Sequence, residues 1–262
     1  MLPKIEVRTF KVTIPSTKTE VTMRCMKVKE EKILLMAKEG NDPAEILASV
    51  KQVVNNCIMD KVNIDDLAIF DIEYMFLQLR AQSISDKTEV AYIDNDEVNT
   101  TMSASTVQAD GPLYPAEMEK AQRKATHTFT IDLNKVEVKF PEKTEKNIKI
   151  SDKAGIVLKY PPAGLYSDKE FMNSSGEKLI DLLICKSIET VYDGKDVDSF
   201  KSDADTKDLK EWIDNLDVKV YNKIKEFFND LPHLFYEIKY TNKNGKDRTI
   251  TLTTLNDFFQ LV

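Results

Sequence analysis

Apolar positions along this chain change their period several times, and each change marks an element. Residues 5–28, "IEVRTFKVTIPSTKTEVTMRCMKV", alternate. Phe10, Val12 and Ile14 share one side of a strand, and Val21, Met23 and Cys25 share one side of its return. Pro15-Ser16-Thr17 supplies a turn between them, so the pattern predicts a β-hairpin. Helical spacing follows. "KEEKILLMAKEG" stops at Gly40, and "NDPAEILASVKQVVNNCIMDK" opens on Asp42 as N-cap, Pro43 at the first helical position and Glu45 three after the cap. Ile46, Leu47, Val50, Val53, Val54, Cys57 and Ile58 give that second helix one apolar face.

The stretch "FDIEYMFLQLR", residues 70–80, has two apolar sides. At ~100° per residue, Phe70, Tyr74 and Leu77 fall together, and Ala81 and Ile84 extend the stripe. Ile72, Met75, Phe76 and Leu79 gather opposite. Thin polar seams, Asp71 with Gln78 and Glu73 with Arg80, separate the two and are expected to be wet. A surface helix shows one stripe and one broad polar face. The larger side is assigned to the chain's own core. The flatter side, Phe70, Tyr74, Leu77, Ala81 and Ile84, is a candidate partner-binding or self-association surface. Burial of both stripes in a layered helical core is the alternative. Three large apolar side chains contribute on the order of 5–9 kcal/mol before association entropy is subtracted, which permits either.

Farther along, "TEVAYI" is strand-like, and residues 94–126, rich in Ser, Thr, Asp and Gly, read as a long mobile loop with a short helix at "PAEMEKAQRKA". "HTFTIDLNKVEVKF" changes parity at Asn134, marking a turn or bulge, and "NIKISDKAGIVLKYPPAG" holds two strands. "SDKEFMNSSGEKLIDLLICKSIETVYDG" reads as a helix weakened at Gly176, and "TKDLKEWIDNLDVKVYNKIKEFFNDLP" as a helical run stopped by Pro232. "LFYEIKY" and "RTITLTTL" flank Asn244-Gly245, a strong hairpin signal. The expected fold is α+β. Residues 1–86 form a hairpin and helical domain, 87–165 an antiparallel β region with the loop, and 166–262 C-terminal helices closing with a β-hairpin.

Composition narrows the function classes. Of 262 residues 42% are hydrophobic and 31% charged, which suits a globular chain. The net charge of −7, with Lys and Glu interleaved, argues against a nucleic-acid binder. Cys25, Cys57 and Cys185 are odd in number and far apart, as expected of buried thiols in a reducing compartment. The amino terminus lacks a signal-peptide pattern and no run approaches a membrane span, so a cytoplasmic location is expected.

Catalytic patterns are scarce. No glycine-rich phosphate loop occurs among seven glycines. A histidine-based metal site or relay has only His127 and His233 to recruit. Asp65, Asp66, Asp71 and Glu73 are the carboxylates to consider around a divalent ion or in a hydrolase, but Asp71 and Glu73 point apart on a helix. Caps and wet seams account for them, as a cap does for Asp203 and Asp205. No enzyme activity and no cofactor are expected.

The segment "KVKEEKILLMAKEG…EILASVKQVVNNCIMDKVNIDDLAIFDIEYMFLQLRAQS", followed by "FTIDLNKVEV", resembles the baseplate hub assembly proteins of T-even-like contractile-tailed bacteriophages. "WIDNL…KIKEFFNDLPHLFYEIKY…ITLTTLNDFF" looks like the end of the same family, so the resemblance spans most of the chain outside roughly 94–126 and 160–205. It implies a non-enzymatic assembly chaperone for the phage baseplate hub and tape-measure proteins. A permanent structural subunit of the hub is the alternative. The implied location is the host cytoplasm during assembly, or the virion baseplate. Many members carry a CxxC pair in the last hairpin turn. Here those positions are Thr241 and Asn244, which offer no thiolate to zinc. The hairpin is expected to rely instead on its Asn-Gly turn and on Phe258 and Phe259.

Overall fold

The N-terminal alternation becomes a hairpin of β1 (Thr9–Thr13) and β2 (Glu20–Arg24), with Val12 opposite Val21 and Phe10 opposite Met23. Val12, Ile14, Val21 and Met23 are buried, on the expected parity. The computed structural model describes residues 6–40, 42–99, 123–142, 145–194, 196–199 and 205–258. Helix α1 (Val28–Gly40) follows, then α2 (Pro43–Cys57), whose N-cap Asp42 accepts the Ala44 N–H at 2.9 Å. Val50, Val53, Val54 and Cys57 turn one face of α2 into the core. The end of α2 is tied to the hairpin, where Thr22 O accepts the Met59 N–H at 2.9 Å.

Helix α3 (Ile69–Ser83) is covered on both sides, by α2 and β1 and by elements from later in the chain. Its first turn is fixed by a carboxylate. Asp71, with no exposed surface, accepts the Ala68 N–H at 3.1 Å, closing the helix start. The same group accepts the Ser16 N–H at 2.8 Å and the Ser16 hydroxyl at 2.6 Å. The expected wet seam is therefore corrected at Asp71: three donors from two elements replace water around it. Burial raises its pKa, against the pull of those donors and of Lys18.

The ribbon of β3 (Lys87–Asn99) and β4 (Arg123–Asp132) is antiparallel, with an irregularity between Asp94 and Val98. Residues 94–99 and 123–126, expected in the long loop, lie instead in these strands; 100–122 of that loop, with most of its expected helix, lie outside the described residues. The parity change at Asn134 is a 3-10 turn, Leu133–Lys135, and β5 (Glu137–Lys139) follows it. Next come β6 (Asn147–Lys149), β7 (Ala154–Leu158), α4 (Lys169–Met172) and α5 (Glu177–Ser187).

One helical expectation is corrected here. Gly176, at φ 60, breaks the first run before α5, in a conformation that disfavours residues with a Cβ. After α5 the β-branched "IETVYD" forms β8 (Ile188–Asp193), paired with β7 and with β9 (Asp196–Ser199). The second run divides into α6 (Asp205–Asp214) and α7 (Val218–Asn229), because Asp217 accepts the Lys219 N–H at 2.8 Å and starts a new helix. Strands β10 (His233–Thr241) and β11 (Asp247–Leu252) make the terminal hairpin around Gly245, at φ 74, and α8 (Leu255–Phe258) follows.

The fold is α+β, with small antiparallel sheets ordered β1-β2, β3-β4, β11-β10-β5 and β6-β7-β8-β9. Two buried clusters underlie it. One joins the N-terminal hairpin, α2, α3 and the β3-β4 ribbon to Leu234, Leu252, Leu255 and Phe258 from the far end of the chain. The other gathers β6, β7, α5, β8, α6 and α7. The segments 1–86, 87–165 and 166–262 thus share cores, and the middle strands divide among three sheets. Aromatic rings connect the clusters: Phe70 lies 5.1 Å from Tyr160, edge to face, and Tyr160 stacks on Phe227 at 5.9 Å.

Asp71→Ala leaves three donors without an acceptor, and we expect it to lower unfolding stability by about 3–5 kcal/mol, against about 1–2 kcal/mol for Ser16→Ala. Urea unfolding followed by tryptophan fluorescence and circular dichroism measures both, and equal losses would show that the carboxylate has no special role.

Candidate interaction surface

The stripe singled out in the sequence is not one surface. Phe70, Leu77 and Ala81 are buried and Tyr74 is half-buried; only Ile84 is open, at 58% exposure. This corrects the expectation of an open flat side. Phe70 is packed edge-on between Phe140 and Tyr160, and α3 meets β5, β10 and the 133–135 turn along its length. Gln78 reaches across to the Leu133 carbonyl at 3.4 Å. Tyr74 has its phenol pKa raised by burial and by nearby Glu137 on β5.

Exposed apolar groups concentrate instead near α1. Val28, Leu35 and Met36 are 66, 54 and 63% exposed. Leu35 also lines a groove of about 340 Å³, with Leu34, Ile46, Phe76, Arg80 and Ile84 among its walls. The groove runs between α1, α2 and α3 and ends at β3 and α8. Burial lowers the pKa of the Arg80 guanidinium within it. The sequence held the signal for this surface: "ILLM" at 33–36 places four consecutive apolar residues around a helix, more than one buried face absorbs.

An ion pair aims α1. Glu30, without exposed surface, meets the Arg24 guanidinium at 2.7 Å and accepts the Lys27 N–H at 2.8 Å. Burial opposes its charge, yet Arg24 and the Lys27 N–H hold its pKa down at about 2. Arg24 also donates to the Cys25 carbonyl at 3.0 Å and the Asn56 carbonyl at 2.8 Å. One guanidinium thereby joins the hairpin, the start of α1 and the end of α2.

The candidate chemical residues are scattered. Asp65 pairs with Lys51, Asp66 accepts from Asn63 at 2.8 Å, Asp71 serves Ser16, and Glu73 accepts the Leu255 N–H. His233 lies 3.2 Å from the Leu231 carbonyl. Among the described residues no group of three or more His, Cys, Asp or Glu is placed to hold a metal ion. Cys57 and Cys185 are buried, which pushes both thiols up to about 11, and Cys25 points at the Gln82 carbonyl, 3.4 Å away. A second concavity, of about 510 Å³, mixes Glu145, Lys149, Lys223 and Glu226 around Ile148 and Phe227.

One polar cluster escaped the sequence. Asp94 accepts the Tyr240 hydroxyl at 2.8 Å and Asn242 Nδ2 at 3.3 Å, with Arg248 Nε 3.8 Å away. Tyr240, outweighing burial, holds its carboxyl below the usual range, aided by Asn242 and Arg248. The rings of Phe129 and His127 lie 5.0 and 5.2 Å from Tyr240, so the cluster clamps the β3-β4 ribbon to the terminal hairpin. In that hairpin turn, Thr241 donates to Asp247 at 2.8 Å, and Asn242 Oδ1 accepts the N–H groups of Asn244 and Lys246. Neutral oxygens already serving the turn do not fit zinc. Phe258 is fully buried beneath the hairpin's own core residues, and Phe259 lies outside the described residues.

A family model described as T4 bacteriophage base plate protein matches residues 7–260. No curated protein and no solved structure matches the chain. Among the described residues no helix is long and apolar enough to cross a membrane.

Two outcomes follow from the buried carboxylates. Arg24→Ala strands Glu30, and we expect a loss of about 3–5 kcal/mol, read by thermal and urea unfolding. Glu73 behaves oppositely. Burial, opposed by the Leu255 N–H and helped by Asp257, pushes its pKa up to about 7, from 4.5. The folded state therefore holds this proton longer than the unfolded state does. Stability from this group is full below the unfolded value and falls as pH rises toward 7, by on the order of 3 kcal/mol. Urea titrations at pH 4 and pH 8 should show Glu73→Gln abolishing that fall, and an unchanged pH slope would refute the assignment.

Proposed function

We propose a function from one premise: the chain belongs to the T4 bacteriophage base plate protein family. It is a phage baseplate protein that works by contact with other phage proteins. Within that role the reading we favour is a non-enzymatic assembly chaperone, engaging hub and tape-measure proteins in the host cytoplasm before the baseplate closes.

The observation that carries this reading is the apolar surface around α1 and Ile84. Val28, Leu35, Met36 and Ile84 are all more than half exposed, and Leu35 and Ile84 line a groove of about 340 Å³, on a chain in which 31% of residues are charged. Greasy groups in that position lower solubility unless something covers them. A groove of this size seats only a few aliphatic side chains, which suits reversible capture better than an obligate interface. The scattered carboxylates and buried thiols support binding over chemistry.

Ile84→Asp charges the groove wall at an open position, so the chain should keep its unfolding midpoint. Co-expressed with hub and tape-measure proteins, it should lose at least ~10-fold in recovered complex relative to the parent chain. Mass spectrometry of purified virions should not find the parent chain. Its presence there in a fixed symmetric copy number would replace the chaperone with a permanent hub subunit, and undiminished capture by Ile84→Asp would dismiss the groove.

A further inference from the structure

We propose that the exposed face of α1 pairs with α1 of a second copy of this chain, antiparallel, about a two-fold axis beside Leu35. The inference rests on the same face being an interface, and it names what covers that face in the free protein.

The pattern of charge on α1 carries it. At ~100° per residue, Val28 and Leu35 form one outward ridge of the helix, and both are more than half exposed. Glu31 and Lys38, two turns apart, run along one flank of the ridge; Lys32 and Glu39 run along the other. All four are exposed. Along each flank the sign of charge reverses from one end of the helix to the other. Seven residues separate the members of each pair, beyond the reach of the three- and four-residue contacts that stabilise a helix internally. Among the described residues none of the four forms an ion pair within its own chain.

A second copy laid antiparallel makes use of it. In that geometry each flank faces the same flank of the other helix, running the opposite way. Glu31 then meets Lys38 of the second copy, and Lys38 meets its Glu31. Lys32 and Glu39 pair in the same manner on the other side. The midpoint of both pairs falls within half a residue of Leu35, so Leu35 packs on its own equivalent. A parallel alignment would bring opposite flanks together, Glu31 against Lys32 and Lys38 against Glu39, and exchanging the charges at 31 and 38 would then break it, so the double exchange in the test below singles out the antiparallel pair. Self-complementarity of this kind identifies the partner as another copy; a different protein would have no need of it. The Arg24–Glu30 pair holds α1 in position on the hairpin, so the face is presented ready-made.

Light scattering of the purified full-length chain over a dilution series is the test. We expect a mass of twice the 30.0 kDa chain at the concentrated end. Leu35→Asp should remain at the single-chain mass. Glu31→Lys sets two lysines together on each side of the axis and should raise the dissociation constant ~10-fold. Glu31→Lys combined with Lys38→Glu in one chain restores complementarity and should restore the dimer. All these positions are exposed, and the unfolding midpoint confirms the fold of each variant; if Leu35→Asp does not fold, the charge-reversal series decides.

A parent chain that stays at the single-chain mass, or a dimer indifferent to Glu31→Lys, overturns the proposal. A single chain that still captures hub proteins through Ile84 sinks the pairing alone. A dimer that ignores hub proteins leaves the pairing intact and sinks the assembly reading.

Discussion

A dry carboxylate organises the first core. Asp71 sits in the first turn of α3 with no exposed surface, and its three donors come from the helix start and from the hairpin turn at Ser16. A charged or polar group without water tolerates only a geometry that satisfies it. The hairpin cannot slide along α3, and α3 cannot rotate, without stranding that group. Both apolar stripes of the helix are thereby given fixed neighbours: α2 and β1 on one hand, β5, β10 and the 133–135 turn on the other.

With α3 held this way, distant parts of the chain become one structure. Leu234, Leu252, Leu255 and Phe258 fill the N-terminal core although they lie more than 150 residues from it in sequence. The Asp94–Tyr240 bond secures the same closure from the polar side. Phe70, at the start of α3, turns its ring to Tyr160, and through it to Phe227 in the second core. Within the stripe that resembles a docking face along one helix, Leu77 and Ala81 belong to the first core and Phe70 reaches toward the second.

What remains open to a partner is set by a second buried charge. Arg24 binds Glu30 and two backbone carbonyls, so α1 is fastened by its first turn. Ala37 anchors it farther along, and Val28, Leu35 and Met36 are left outside. The face proposed above for a partner therefore stands on a fixed base, the Arg24–Glu30 pair at the start of α1.

Period and punctuation in the sequence determined the local elements: alternation made the N-terminal hairpin, Asp42-Pro43 started α2, and Asn244-Gly245 turned the last hairpin. Those signals act over a few residues, where the physics is local. The family resemblance was legible in the same helical segments, and the α+β class with them. β8 was misread because Leu182, Leu183 and Ile188 also satisfy a helical period, and only pairing with β7 settles that ambiguity. Which apolar side of α3 is covered, why Asp71 is dry, and why α1 and not α3 faces outward were decided by tertiary structure alone. Burial is a property of what lies opposite a side chain, and the residues opposite Phe70 and Leu77 come from parts of the chain far along the sequence, whose approach no local pattern encodes.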